Sequence, residues 1–541
     1  MRVAIGVAVL VGLAEAQQLR PLRGVPVPDP PGLADSVTDR KALVALGKAF
    51  FWDMQAGSDG RTACATCHFH AGADHRPQNQ ISDPLNAFTV NRTLASVEFP
   101  LRLLSDPFTR GSTVLRDSTM RVGSAGGFRR IFQGVAPGES AEIAMDGLDK
   151  PEYMVGGLQV RRVTARNAPS VINAVFSVRA FWDGRAQRLF ELPAVQVSRD
   201  GVVQSEAVRL DNSALASQAV GPIMDHLEMS YEGRTWPLLA KKLLSLRPLG
   251  LQRISVNDSV LGLMAQAGGR GLDDRYTYRG MIERAFAPRF WEAGTDQIEA
   301  NFALFWGVAI QAYESTLVSG ETPLDRFLEG DTTALTAEEQ EGMRLYQTTG
   351  RCNTCHGGGE LSAAGFSGPN NRAFQRTGVR PAAEDNGAGN ATFKSIGLRN
   401  IEFTGPYFHN GGQSTLEQVI EFYMRAGDFA PTNNIRTFRS STEQKASLVA
   451  FLRALSDERV RYERAPFDHP ELCVPVGHVE SAPGVLMPGE PGPFMLSAAE
   501  KWRLVPAVGA DGNQVPLRTF EEMLRGVGGR AHMLDEACPA P

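Results

Sequence analysis

Two short motifs could do chemistry in this 541-residue chain: Cys64-Ala-Thr-Cys67-His68 and Cys352-Asn-Thr-Cys355-His356. Paired thiols at this spacing can each form a thioether to a porphyrin edge, and a histidine directly after the second is placed to ligate the iron. Zinc ribbons and redox dithiols also use paired cysteines, but neither requires that histidine, and both motifs have it. The spacing therefore predicts two covalently bound haem c groups, with His68 and His356 as iron ligands.

Haem attachment of this kind belongs outside the bacterial inner membrane, and the start of the chain agrees. Arg2, the apolar run Ala4 to Ala14 and the small-x-small site Ala14-Glu15-Ala16 read as a signal peptide over residues 1–16. The run is too short to span a bilayer, and no later segment offers a span; the longest apolar stretch, Phe302 to Ala312, reads as a buried core helix. The expected location is periplasmic. A net charge of -5 leaves no footprint for nucleic acid or an anionic membrane. The two cysteines not claimed by haem, Cys473 and Cys538, are expected to pair in an oxidising compartment.

Each motif follows a helical pattern. Asp39 to Phe51 places Leu43, Leu46 and Phe50 at helical spacing, and a capping box of Thr336 and Glu339 opens a helix over Ala337 to Gln347. Ser441 and Gln444 open a closing helix bearing Leu448, Phe451 and Leu452. The expected fold is mainly α, with two cytochrome c-like haem domains. Residues 17–325 form the first, with a loop-rich insertion at about 76–160; residues 326–466 form the second, and 467–541 a C-terminal extension. Within the insertion, Val160 to Thr164 is mildly strand-like; the extension, rich in proline, regains helical pattern at Phe520 to Leu524.

Between and around the motifs lie Arg166-Asn-Ala-Pro-Ser170, Phe181-Trp-Asp-Gly-Arg-Ala186, Gly221-Pro222 leading to Glu228-Met229, Leu324-Asp-Arg-Phe-Leu328 and Leu398-Arg-Asn-Ile401 leading to Gly405-Pro-Tyr-Phe-His-Asn-Gly411. In this order the segments resemble the bacterial dihaem cytochrome c peroxidase family, which includes the MauG-type enzymes. The resemblance runs from Asp39 to Leu455 apart from the insertion. It implies reduction of hydrogen peroxide to water at the His68 haem, with Glu228 as the distal carboxylate and Trp182 as an electron relay between the haems. It also implies a calcium ion held by Asn167 and the backbone carbonyls of Thr404 and Pro406, and a possible homodimer. Electrons would come from a small cytochrome c, a cupredoxin or a quinol.

Two departures matter. Where ordinary family peroxidases place the methionine ligand of the second haem, this chain has Tyr423, with Met424 next. A capping pattern at Ser414 and Glu417 predicts a helix over Leu416 to Arg425 with Leu416, Val419 and Ile420 inward. At about 100° per residue, Tyr423 then falls near the centre of the inner stripe and Met424 at its edge. Tyr423 is the expected ligand, Met424 the alternative; a tyrosinate resembles MauG and predicts a high-valent bis-haem state reached without prior reduction. The second departure is a missing distal histidine: His70 lies too close to His68, and His75 sits in the insertion, so the first iron is expected to be open or water-bound. His409 is expected to support the second haem pocket. Two other functions fit the same motifs: a MauG-like oxidase that modifies a partner protein, and a non-catalytic dihaem electron carrier. An open first iron and Glu228 weigh against the carrier.

Overall fold

The computed structural model describes residues 17–81, 91–147, 149–155, 157–432, 435–479, 499–534 and 538. The signal-peptide reading at 1–16 lies outside the described residues. Helix accounts for 29% and strand for 17% of the chain, so the architecture is mixed rather than mainly α. Helices surround the two motifs; the strands are hairpins added around them.

The helix Arg40–Trp52 is capped by the Asp39 carboxylate, which accepts from the amides of Lys41 and Ala42. It packs against Phe302–Glu314, a helix buried along its whole length. Gly47 sits at the crossing, where a Cβ would lie 1.8 Å from the Ala309 carbonyl oxygen. The second motif repeats the device. Ala337–Gln347, with its Thr336/Glu339 capping box, crosses Thr442–Arg453, with its Ser441/Gln444 box. There Gly342 allows the approach, a Cβ being 1.9 Å from the Ser447 carbonyl oxygen. Two apolar cores result, one joining Leu43, Phe50, Trp306 and Ile310 and the other Leu345, Tyr346, Phe451 and Leu452.

Three sequence expectations change. The insertion is not merely loop: it carries short antiparallel ladders, Arg102–Leu104 with Val114–Asp117 and Arg130–Gly134 with Ile143–Asp146. In the strand-like Val160 to Thr164, only Val163 makes a bridge, to Ala125. The helix Leu416–Met424 is capped by Thr415, whose hydroxyl accepts from the Gln418 amide, one residue later than the Ser414 pattern. Ser414 instead donates its amide to the Gln418 side chain at 2.8 Å.

The C-terminal extension is not an appendage. Leu472–His478 pairs with Glu500–Val505, and Leu472, Val474, Val505, Leu517 and Met533 lie in the first apolar core. Cys473 and Cys538 form the expected disulfide. Buried charges complete the seam: Arg161 pairs with Asp59 at 2.8 Å and with Glu500 at 2.5 Å, and Lys48 with Asp258 at 2.8 Å and Asp468 at 3.3 Å. An apolar face this size on the first core needs covering, and these strands cover it.

Candidate active site

One cavity of about 1330 Å³ is lined by Cys67 and His68 at one end and by Cys352, Cys355 and His356 at the other. Its walls come from the loop after the first motif, the segments around Asn167, Trp182 and Glu228, and the helix bearing Tyr423. Both histidines are held the same way. Nδ1 of His68 donates to the Gly72 carbonyl at 2.9 Å, and Nδ1 of His356 to the Ile396 carbonyl at 3.0 Å. This is the bond that fixes a ligating imidazole and leaves Nε2 with its lone pair outward.

The four motif cysteines are unpaired, and burial raises every one of their thiols, Cys67 and Cys352 to about 12. His409 stacks on Phe393 at 3.6 Å between ring centres, burial pushes its imidazole down to about 3, and its buried Nε2 has no hydrogen-bond partner. The volume, the paired thiols, the oriented histidines and this unsatisfied nitrogen fit a pair of haem groups.

Trp182 lines the same cavity. It is buried, its Nε1 donates to the Asn167 carbonyl at 2.8 Å, and its ring meets His409 edge-on at 6.2 Å. Asn167 in turn donates its amide to the His409 carbonyl at 2.8 Å, so the tryptophan is braced by the segment facing the second motif. Arg166 locks the same loop through Asp183 and Asp385, each at 2.7 Å. Asn167, Thr404 and Pro406 all lie on the cavity wall.

Glu228 follows a 3-10 turn at Pro222–Met224 and is half-buried on the wall nearest the first motif. Burial, then the neighbouring Asp225 charge, raises its carboxyl to about 7. Among the described residues the histidines lining the cavity are His68, His356 and His409. His70 and His75 point elsewhere, into a buried cluster with His532 of the C-terminal extension. Tyr423 lines the cavity with Leu416, Val419 and Ile420, whereas Met424 packs into the second core. Burial raises the Tyr423 phenol.

A second carboxyl, Glu314, escaped the sequence reading. It ends the apolar helix Phe302–Glu314, lines the cavity, and burial alone raises it to about 8. Its Oε2 is buried without a hydrogen-bond partner. The available signal was a single acid closing thirteen residues of otherwise uncharged helix.

The profile of the di-haem cytochrome c peroxidase family matches residues 141–333, which hold Asn167, Trp182, Glu228 and Glu314. Over that segment the chain is similar to this dihaem peroxidase family. The cytochrome c551 peroxidase of Nitrosomonas europaea is 29% identical over 306 residues, covering 54% of this chain and 66% of that protein. The methylamine utilization protein MauG of Methylorubrum extorquens is 31% identical over 153 residues, covering 28% of this chain and 43% of that one. Among solved structures, the diheme peroxidase BthA of Burkholderia thailandensis aligns with a TM-score of 0.39 at 18% identity, over 79% of this chain and 88% of that one. The alignments thus span just under two thirds of the Nitrosomonas relative and less than half of MauG. Among the described residues no helix is long and apolar enough to cross a membrane.

Proposed function

We propose that this chain is an exported dihaem peroxidase that reduces hydrogen peroxide to water with electrons from an external donor. The observation that carries the reading is Glu228: a half-buried carboxyl raised to about 7, in the cavity lined by His68, where among the described residues the other lining histidines are His356 and His409. When bound, the haems supply the redox chemistry, one as peroxide site and the other as a store of oxidising equivalents.

The chain's residues would do the rest. Cys64 and Cys67 would anchor the first haem with His68 as its ligand, and Cys352 and Cys355 the second with His356. Glu228 would take the proton from the near oxygen of peroxide and return it to the leaving one, a task for which a pKa close to ambient pH is suited. Trp182, braced by Asn167, would carry charge between the two ends. Tyr423 would be the second ligand at the His356 end, since it and not Met424 faces the cavity; a hard anionic phenolate favours oxidised iron. Asn167 with the Thr404 and Pro406 carbonyls would hold calcium, hard oxygen donors suiting that ion.

Tyr423 also favours a second reading, a MauG-like oxidase that turns the same stored oxidising power on a partner protein. The deciding experiment adds peroxide to the fully oxidised holoprotein and follows the haem spectrum. An immediate spectral change supports an open first site with Tyr423 ligation; no change until one-electron reduction refutes both. Steady turnover with a small reduced cytochrome c or cupredoxin then separates peroxidase from oxidase.

A further inference from the structure

Four histidines that the cavity does not use are gathered in one buried cluster: His70, His75, His469 and His532. Glu463 joins them, also buried. Three ligand atoms converge there. Glu463 Oε1 lies 2.7 Å from His532 Nε2 and 3.0 Å from His469 Nε2, and the two nitrogens are 3.3 Å apart. The other carboxylate oxygen, Oε2, is already held by Arg530 and by Asn513 Nδ2 at 2.8 Å. So Oε1 is left to the centre.

Proton accounting shows what the centre lacks. A neutral imidazole carries one N–H. His469 Nδ1 faces the Pro470 carbonyl at 2.9 Å, which can only accept, so its proton belongs there and Nε2 presents a lone pair to a carboxylate oxygen. Moving the proton to Nε2 merely transfers the clash to Pro470. His532 Nδ1 lies 3.1 Å from His70 Nδ1 and can donate to it, which likewise leaves Nε2 free. Each inward nitrogen therefore has its outer nitrogen engaged, the arrangement that orients metal-bound histidines. Trp52 stacks flat on His469 at 4.7 Å and fixes its ring. Donors bound to one ion at about 2.0–2.1 Å stand about 2.9 Å apart when cis in a square plane and about 3.3 Å apart in a tetrahedron. The observed separations of 2.7, 3.0 and 3.3 Å span that range.

We propose that Glu463, His469 and His532 bind one divalent ion of the zinc and copper(II) class, separate from both haem sites, with His70 orienting His532. Two imidazoles and a carboxylate match that class, whereas calcium would ask for oxygen donors only. The site would tie His469 and His532 of the C-terminal extension to Glu463, and the His532–His70 hydrogen bond would carry the link to the loop two residues beyond His68.

The test uses the haem-loaded full chain, stripped with a chelator and titrated separately with Zn²⁺ and with Cu²⁺. Elemental analysis for zinc and copper is independent of haem iron. The expected result is about one ion per chain, with affinity lowered roughly 100-fold by Glu463→Gln or His532→Ala and about tenfold by His70→Phe, a loss typical of an outer partner. His226→Ala, an exposed site, should change nothing. The ion that binds tighter identifies the metal. Failure of the unsubstituted protein to bind either ion, or binding that survives both ligand substitutions, overturns the proposal and leaves an imidazolium at His469 as the missing proton. If either ligand variant fails to load haem, the electron paramagnetic resonance of the Cu²⁺-loaded unsubstituted protein decides: nitrogen hyperfine structure from two imidazoles supports the site, and its absence overturns it.

Discussion

The rate of peroxide reduction should titrate with Glu228. Raising a carboxyl from 4.5 to about 7 means that its surroundings favour the protonated form by roughly 3.4 kcal/mol, at about 1.4 kcal/mol for each tenfold in the equilibrium. Burial is the larger cause and Asp225 the next. As the carboxylate must accept a proton from peroxide, kcat/KM at limiting peroxide should climb with pH and level off above 7. A single group with this midpoint is about 9% ionised at pH 6 and about 91% at pH 8, so the rate should differ about tenfold between them. Stopped-flow mixing of the oxidised holoprotein with peroxide from pH 5.5 to 8.5 reads this directly. Glu228→Gln should lower the plateau by roughly 100- to 10,000-fold, the span of a lost general base. Asp225→Asn removes the neighbouring charge yet keeps an oxygen for the Leu227 amide, which its carboxylate now accepts at 2.7 Å, so the midpoint should move to lower pH with the plateau retained. A flat profile, a Glu228→Gln rate within about threefold of the parent, or an unmoved Asp225→Asn midpoint would refute the assignment.

Tyr423→Phe should abolish the low-spin optical and magnetic signal of the second haem, and Met424→Leu should leave it intact; the reverse pattern transfers ligation to Met424. Glu314 binds a proton more tightly folded than unfolded, so its contribution to stability is complete below pH 4.5 and is lost as pH rises through about 8. Thermal melting of Glu314→Gln should lack that decline, a difference of roughly 1.4 kcal/mol for each pH unit in the window; parallel melting curves for parent and variant across it would contradict this. Cys473→Ser with Cys538→Ser opens a link between positions 65 residues apart, and chain entropy sets the loss at about 4 kcal/mol, measured by denaturant unfolding. Gly342→Ala should prevent close approach of Ala337–Gln347 and Thr442–Arg453, and lower the haem content of the second motif more than that of the first.

The motif-bearing helices could be read from sequence because local rules determine them: Asp39, Thr336 with Glu339, and Ser441 with Gln444 each cap the helix expected. That Tyr423 faces the cavity was legible by helical phase for the same reason. What was missed depends on partners distant in the chain. The hairpin Phe190–Arg199 with Val202–Leu210 had a local signal in Asp200-Gly201, both at positive φ, but it lay among motif segments that drew the reading to chemistry. Glu314 looked like the polar end of a core helix, and only the folded cavity reveals it as a wall residue. The histidine cluster was invisible because His70, Glu463 and His532 meet only after the extension folds back.

The extension's place in the first core also bears on how the protein is made. Lys48 finds its partner Asp468 across 420 positions, and Leu472, Val474 and Met533 complete apolar packing begun at Leu43. During synthesis from the amino end, the first motif therefore emerges long before the residues that close its domain exist. Packing around Cys64 and Cys67 can then be completed only once residues 468–533 have been made.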